Sequence, residues 1–493
     1  MKSNSRFIKS ALAGVLFLSG ISCNSLLDID ADGNISGDIY ATEAGIQNAL
    51  VGAYYNLGGI YDGAEGGELL GGDFILISTL LSVQSIFEMD WDDANGPAYS
   101  NFVNRNILAT NSRVEANWRR AYETLNTLNS ILANIDNVTD TSEKGRIQGE
   151  ALGMRGILYF EMVRLWGQEY DAATASTDFA IPLLLDPVDE PGRSPDLNTV
   201  EEIYTQVEAD LTTASGLLQS LGKNGTNISY YACQAYLMRL AMHKDEFDDA
   251  IAFADIIIPE FSLTTTPQDA FNNEVNSTED IFAIQQNGAN NTGDISTGTG
   301  LTNYYSSLNG KGLGAMRVQK LFLTNPFGDF DNSPEYDTLV DLRGSIDNLA
   351  NSDYTVESVT TGFYTNILNT FVLSPAKYMS SDRVIPIVRL SEIQLTRAEA
   401  RAFQSQNLPP DVTALNDYNA IRTRAGLSAL MASDFSLGAI LYDSILLERK
   451  REFLYEGLLL HDMRRRGESL NGNPAIGAEF LLPIPQSELD ATQ

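Results

Sequence analysis

The stretch Glu448 to Gly457, ERKREFLYEG, constrains this chain more than any other. Glu448, Glu452 and Glu456 recur every fourth residue, and Arg449 and Phe453 share that spacing on the next row. Residues four apart lie on one helical face, so the segment predicts a helix with a carboxylate row beside an arginine and an aromatic. Upstream, Leu437, Ile440, Leu441 and Ile445 form an apolar stripe at helical spacing, and the same stripe runs on into Glu448 and Glu452. A carboxylate on a core-facing row is costly unless it is paired. Arg389, Glu392, Arg422, Arg424, Glu448 and Glu452 are charges on otherwise apolar helices, and together they predict a buried ion-pair network fixing the C-terminal helices. The run Arg464 to Arg466 reads as a solvated helix end that satisfies carbonyls.

At 493 residues with 43% hydrophobic content, the chain is long enough for one large domain or two to three ordinary ones. Acidic residues outnumber basic ones 65 to 32, a formal charge of −33. That excludes nucleic acid as a partner, because phosphate binding needs a basic footprint. It fits a soluble, self-repelling surface protein in salty water, where the repulsion is screened. With only two histidines and two cysteines, no zinc-site spacing is present, and no metal or cofactor is expected. Cys233 lies in the apolar run Tyr230 to Ala241 and reads as a small buried hydrophobe.

Lys2, Arg6 and Lys9 precede a short apolar region, Ala11 to Leu18, and then Cys23. Residues 1–22 read as a secretory signal, too short to span a membrane. Cys23 at the cleavage position predicts a lipid anchor, although Gly20 and Ile21 stand where a leucine and a small residue are usual. The protein is then anchored to a membrane rather than inserted in it. Residues 23–40 form an acidic tether. Within it Asp28, Asp30, Asp32, Gly33, Asn34 and Ser36 follow the start of an EF-hand-like calcium loop, but its closing acid is missing at Ile39.

The remainder, 41–493, predicts an all-α domain: a helical scaffold over 41–260 and 380–493, and a loop-rich insert over 261–379. Apolar residues at helical spacing mark Ala41 to Leu57, Val114 to Ile135, Lys144 to Trp166, Thr199 to Leu221, Tyr230 to His243 and Phe247 to Ile258. The last two form a close pair with alternating small and large residues, as in tetratricopeptide-type hairpins. Helical order returns at Leu390 to Phe403, Asp411 to Arg424 and Leu437 to Leu458.

Several blocks, in order, resemble the SusD/RagB family of nutrient-capturing surface lipoproteins. They are Leu26 to Asp28 after Cys23, Glu150 to Gly167 (EALGMRGILYFEMVRLWG), Ile281 to Ala283, Arg389 to Ala400 (RLSEIQLTRAEA), Ala420 to Leu427 (AIRTRAGL), Glu448 to Gly457 and Leu482 to Pro485 (LPIP). The resemblance implies a single domain of tetratricopeptide-like helix pairs on the outer face of the outer membrane. It implies capture of an oligosaccharide and delivery to a SusC-like TonB-dependent transporter, with this protein as the lid. Relatives that carry peptides, or a scaffold serving the transporter alone, are the alternatives. A saline habitat would make a laminarin-like β-glucan one candidate.

No Gly-x-Ser-x-Gly elbow, HExxH helix or Walker loop is present, so a binding protein rather than an enzyme is expected. Sugars stack their C–H faces on aromatic rings and offer hydroxyls to polar side chains, and rigid aromatics on loops suit that task. Two segments supply such groups: Tyr61, Asp90, Trp91, Asp92 and Tyr99, and then Asn303, Tyr304 and Tyr305. The resemblance places glycan sites in the corresponding loops. The competing reading is that each aromatic caps a local core. Trp118 and Trp166 sit on apolar helix faces and are expected in the core.

Overall fold

The computed structural model describes residues 37–60, 69–82, 89–91, 97–188, 196–223, 225–294, 296–306, 311–318, 341–343, 358–361, 364–367, 373–470, 473–474 and 477–491. Cys23 and the acidic run Asp28 to Ser36 lie outside them.

The chain is mostly helical. In its first half run α1 (Glu43–Gly58), α2 (Asp73–Leu81), α3 (Pro97–Val103), α4 (Ser112–Ala133), α5 (Thr141–Trp166), α6 (Val200–Leu218), α7 (Tyr230–His243) and α8 (Phe247–Ile257). Side chains that hydrogen-bond early in sequence set their starts. Asn111 accepts from Arg113 and Val114, Asp140 from Ser142 and Glu143, and Thr199 and Glu202 form a reciprocal capping box. From α4 to α8 each helix packs on the next. Helix α5 is buried on every side from Gly149 to Trp166. Its pairing with α6 is close because Gly149, Gly153 and Gly156 face that neighbour; a Cβ at Gly149 would stand 2.7 Å from Leu218 Cγ, and one at Gly156 3.0 Å from Leu211 Cγ. Trp118 and Trp166 are core residues, their rings 5.6 Å apart.

The loop-rich insert contains more order than its composition predicts. Strand β1 (Met89–Trp91) pairs with β3 (Met316–Val318), and β4 (Ser358–Thr361), β5 (Tyr364–Ile367) and β6 (Leu373–Pro375) complete an antiparallel sheet in the order β1-β3-β6-β5-β4. Strand β2 (Asp280–Ile284), which contains the expected short strand, pairs with β7 (Ile385–Arg389), and between them in sequence lies the short helix α9 (Gly300–Tyr305).

Strand β7 leads directly into α10 (Leu390–Gln404), followed by α11 (Val412–Arg424), α12 (Gly438–Glu452) and α13 (Leu458–Arg465). The hairpin β8 (Ser469–Leu470) and β9 (Asn473–Pro474) and a last helix α14 (Gln486–Ala491) close the order. Two expectations need correction here. The signature is not one continuous helix: α12 stops at Glu452, and Tyr455 (φ 69°) and Gly457 (φ 76°) turn the chain into α13. Gly457 is held to that turn by a close approach, since a Cβ there would meet Ile75 Cα at 3.0 Å. The second is the arginine run. Arg464 is buried and donates from Nη2 to the Gly167 carbonyl at 2.8 Å and from Nη1 to the Arg164 carbonyl, so it closes the end of α5 rather than facing solvent. The tail docks as expected: Leu482 N donates to Leu165 O at 2.9 Å and Trp166 Nε1 to Pro483 O at 3.1 Å.

Candidate functional site

Three aromatics far apart in sequence meet at one place. Trp91 comes from β1, where it pairs with Met316 of β3; Tyr99 comes from α3 and Tyr304 from α9. The ring centroids are 5.7 Å apart for Trp91 and Tyr99, 5.8 Å for Trp91 and Tyr304, and 4.8 Å for Tyr99 and Tyr304, all tilted. These are the separations of mutually attractive rings. The three are not splayed on open loops: Trp91 keeps 8% of its surface exposed, Tyr304 5% and Tyr99 3%. The Tyr304 hydroxyl donates to Gly298 O at 3.0 Å. The indole Nε1 of Trp91 is buried and has no hydrogen-bond partner among the described residues, and neither end of the Asn303 amide has one among them. Buried polar atoms left in that state are uncommon and ask for an explanation.

Tyr305 stands apart from the trio. Tyr305 belongs to the core: neighbours on a helix point about 100° apart, so it faces away from Tyr304. It packs on Tyr378 at 5.4 Å and Tyr455 at 6.0 Å, and burial holds its phenol well above the usual range. Asp90 lies in β1 opposite Arg317. Tyr61 and Asp92 lie outside the described residues.

Asp73 escaped the sequence reading, because a lone aspartate at the start of an apolar helix looks like an ordinary first-turn residue. It is fully buried. Its Oδ1 accepts from the Tyr99 hydroxyl at 2.6 Å, and its Oδ2 accepts from Arg113 Nε at 3.0 Å and from Asn117 Nδ2.

The charges of the C-terminal signature are buried and paired. Glu452 binds Arg389 at 2.7 Å, Arg343 at 3.3 Å and Arg424. Glu448 binds Arg343 at 2.7 Å, and Glu456 binds Arg389 at 2.7 Å and Lys377 at 2.6 Å. Burial pushes the Glu452 carboxyl up, but Arg424, Arg389 and Arg343 outweigh it and hold it well below the usual range. Burial lowers Lys377 to about 8. Glu392 pairs with Arg239 of α7 at 2.7 Å. Arg422 differs from expectation: it meets no carboxylate among the described residues. Its guanidinium lies 5.4 Å from the Tyr418 ring centroid, and Nε donates to Ser428 O at 3.3 Å. The adjacent Arg424 supplies the bonds expected of it, to Glu279 and Glu452. Two small cavities of about 20 and 30 Å³ share Arg164, Arg239 and His461 in their walls. Each has room for a water or two and neither for a sugar ring, and the aromatic trio lines neither.

Two family profiles match the chain. One, described as the SusD family, matches residues 341–493 and so the ion-pair network. The other, described as "Starch-binding associating with outer membrane", matches residues 84–242 and so Trp91 and Tyr99. Between them they span more than half of the sequence. The chain belongs to the SusD family. Solved SusD superfamily structures share its fold. One from Bacteroides thetaiotaomicron is 23% identical with a TM-score of 0.72, covering 92% of this chain and 98% of that one. One from Bacteroides fragilis is 21% identical with a TM-score of 0.71, covering 92% and 99%. Surface glycan-binding protein A from Bacteroides thetaiotaomicron, solved with laminarihexaose, is 19% identical with a TM-score of 0.65, covering 92% and 98%. No curated protein matches the chain.

Proposed function

We propose that this SusD-family protein is a cell-surface glycan-binding lipoprotein of the outer membrane, anchored through Cys23. It captures an oligosaccharide non-covalently and delivers it to a SusC-like TonB-dependent transporter as its lid. The observation that carries the reading is the trio Trp91, Tyr99 and Tyr304, whose ring centroids lie 4.8 to 5.8 Å apart and of which Trp91 keeps the largest exposed share. A sugar ring laid against the exposed edge of Trp91 would meet an apolar aromatic surface for its C–H face. Tyr305 is left out, since it is core. The outer-membrane description of the matched profile and the laminarihexaose complex of a relative with this fold support the same reading.

The test is affinity electrophoresis of residues 24–493 through gels containing laminarin, starch and other soluble polysaccharides. We expect retardation by one glycan and its loss in Trp91→Ala, equivalent to at least about a tenfold weaker affinity, ~1.4 kcal/mol. Retardation that survives the substitution would move the site elsewhere. Retardation by no glycan would turn attention to peptide cargo.

A further inference from the structure

We propose that Asp73 is a positioning residue for the glycan platform, acting through Tyr99; the inference rests on the reading of the aromatic trio given above. Asp73 holds the hydroxyl end of Tyr99, and Arg113, bound to the other carboxylate oxygen, lies over the ring at 5.4 Å from its centroid. Tyr99 is thus fixed at its tip and on one face. Trp91 and Tyr304 rest against it, so the angle at which Trp91 meets a ligand follows from the setting of Tyr99.

The chemistry goes beyond what packing needs. A hydrophobic pair of similar shape would fill the space without burying a carboxylate, which is costly even when paired. The carboxylate adds direction instead: a hydrogen bond to a charged acceptor is short and selects one orientation of the phenol. The charge is compensated by Arg113 of α4, and it sits in the first turn of α2, where the helix dipole favours a negative group. Asn117, one turn beyond Arg113, holds the same oxygen as Arg113. The platform is therefore referenced to α4, a helix of 22 residues, rather than to the short strand that carries Trp91. A site held by a rigid supporting shell binds with less ordering on contact.

The experiment is a double-mutant cycle on binding. Laminarihexaose and maltohexaose are titrated calorimetrically into residues 24–493 of the unaltered protein, Tyr99→Phe, Asp73→Asn and the double variant. Tyr99→Phe removes one oxygen and keeps the ring. Each single change is expected to weaken binding about tenfold, the effect of losing a hydrogen bond to a charged group, and the double change no more than the larger single one. Losses that multiply, or a Tyr99→Phe protein that binds normally, would overturn the inference. Should neither sugar bind the unaltered protein, the platform reading is the one at fault, and a ligand-free measurement decides this one. In a Trp118→Phe/Trp166→Phe background Trp91 is the sole tryptophan. Adding Tyr99→Phe is expected to raise acrylamide quenching of its emission, and unchanged quenching would overturn the role of Asp73.

Discussion

Arg422 and Arg424 stand two apart on α11 and do different work. Arg424 reaches Glu279 and Glu452, both fully buried, whereas Arg422 rests on Tyr418 and a carbonyl. Removing one partner of a buried pair leaves an uncompensated charge, at about 3–5 kcal/mol. Urea denaturation of Arg424→Met should show a loss of that order, and Arg422→Ala a loss of only about 1 kcal/mol. The helical spacing alone does not separate the two residues, since either could face the carboxylate row. Two further buried groups make stability depend on pH. Burial raises Asp280 to about 7, so the folded state holds its proton more tightly than the unfolded chain. Its contribution is complete below the ordinary carboxylate value of 3.8 and is lost as pH rises to about 7. Lys377, lowered by burial to about 8, works at the other end: it costs stability below 8, and the cost is relieved as pH climbs toward 10.5. Melting curves of Asp280→Asn should therefore lose part of the decline between pH 4 and 7 that the unaltered protein shows.

At the scale of elements, the long helices were legible because their apolar residues recur at threes and fours over many turns. Tyr230–His243 matches its expected bounds, and the others agree to within about three residues at each end outside the signature. Three features were not legible. The end of α12 depends on a left-handed turn at Tyr455 and Gly457, whereas the charge spacing alone continues the helix through Glu456. The five-stranded sheet is built from strands of three or four residues joined across long separations, Met89 to Val318 for example, so no local pattern announces it. Of the site, Trp91, Tyr99 and Tyr304 were singled out as candidates, but their mutual packing and the supporting Asp73 come from tertiary contact alone. The α5–α6 contact offers a test of packing read from glycines. Gly149→Ala should destabilise by about 1–3 kcal/mol through the clash with Leu218 of α6. Gly145→Ala, on the same helix with nothing within 4 Å, should stabilise by about 0.5–1 kcal/mol. Thermal denaturation of the two variants gives opposite signs if the interface is as described.

Across the whole molecule, 65 acidic residues against 32 basic ones set up a self-repulsion that the paired interior charges do not remove. Raising sodium chloride from about 10 mM to about 0.5 M shortens the Debye length several-fold, and the melting temperature should rise with it. A flat salt profile would mean that the surplus charge is too widely spread to matter. The interior network carries a different consequence, one of timing. Glu279, Lys377, Arg389 and Arg424 are all made before Glu448, Glu452 and Glu456, the carboxylates of the closing segment. A growing chain that lacks those three glutamates has nowhere dry to put Lys377 and its arginines, and water keeps them apart. Closing that centre waits on contacts distant in sequence, which form late in folding. The centre around Glu452 can therefore be completed only once the segment Glu448 to Glu456 has been made.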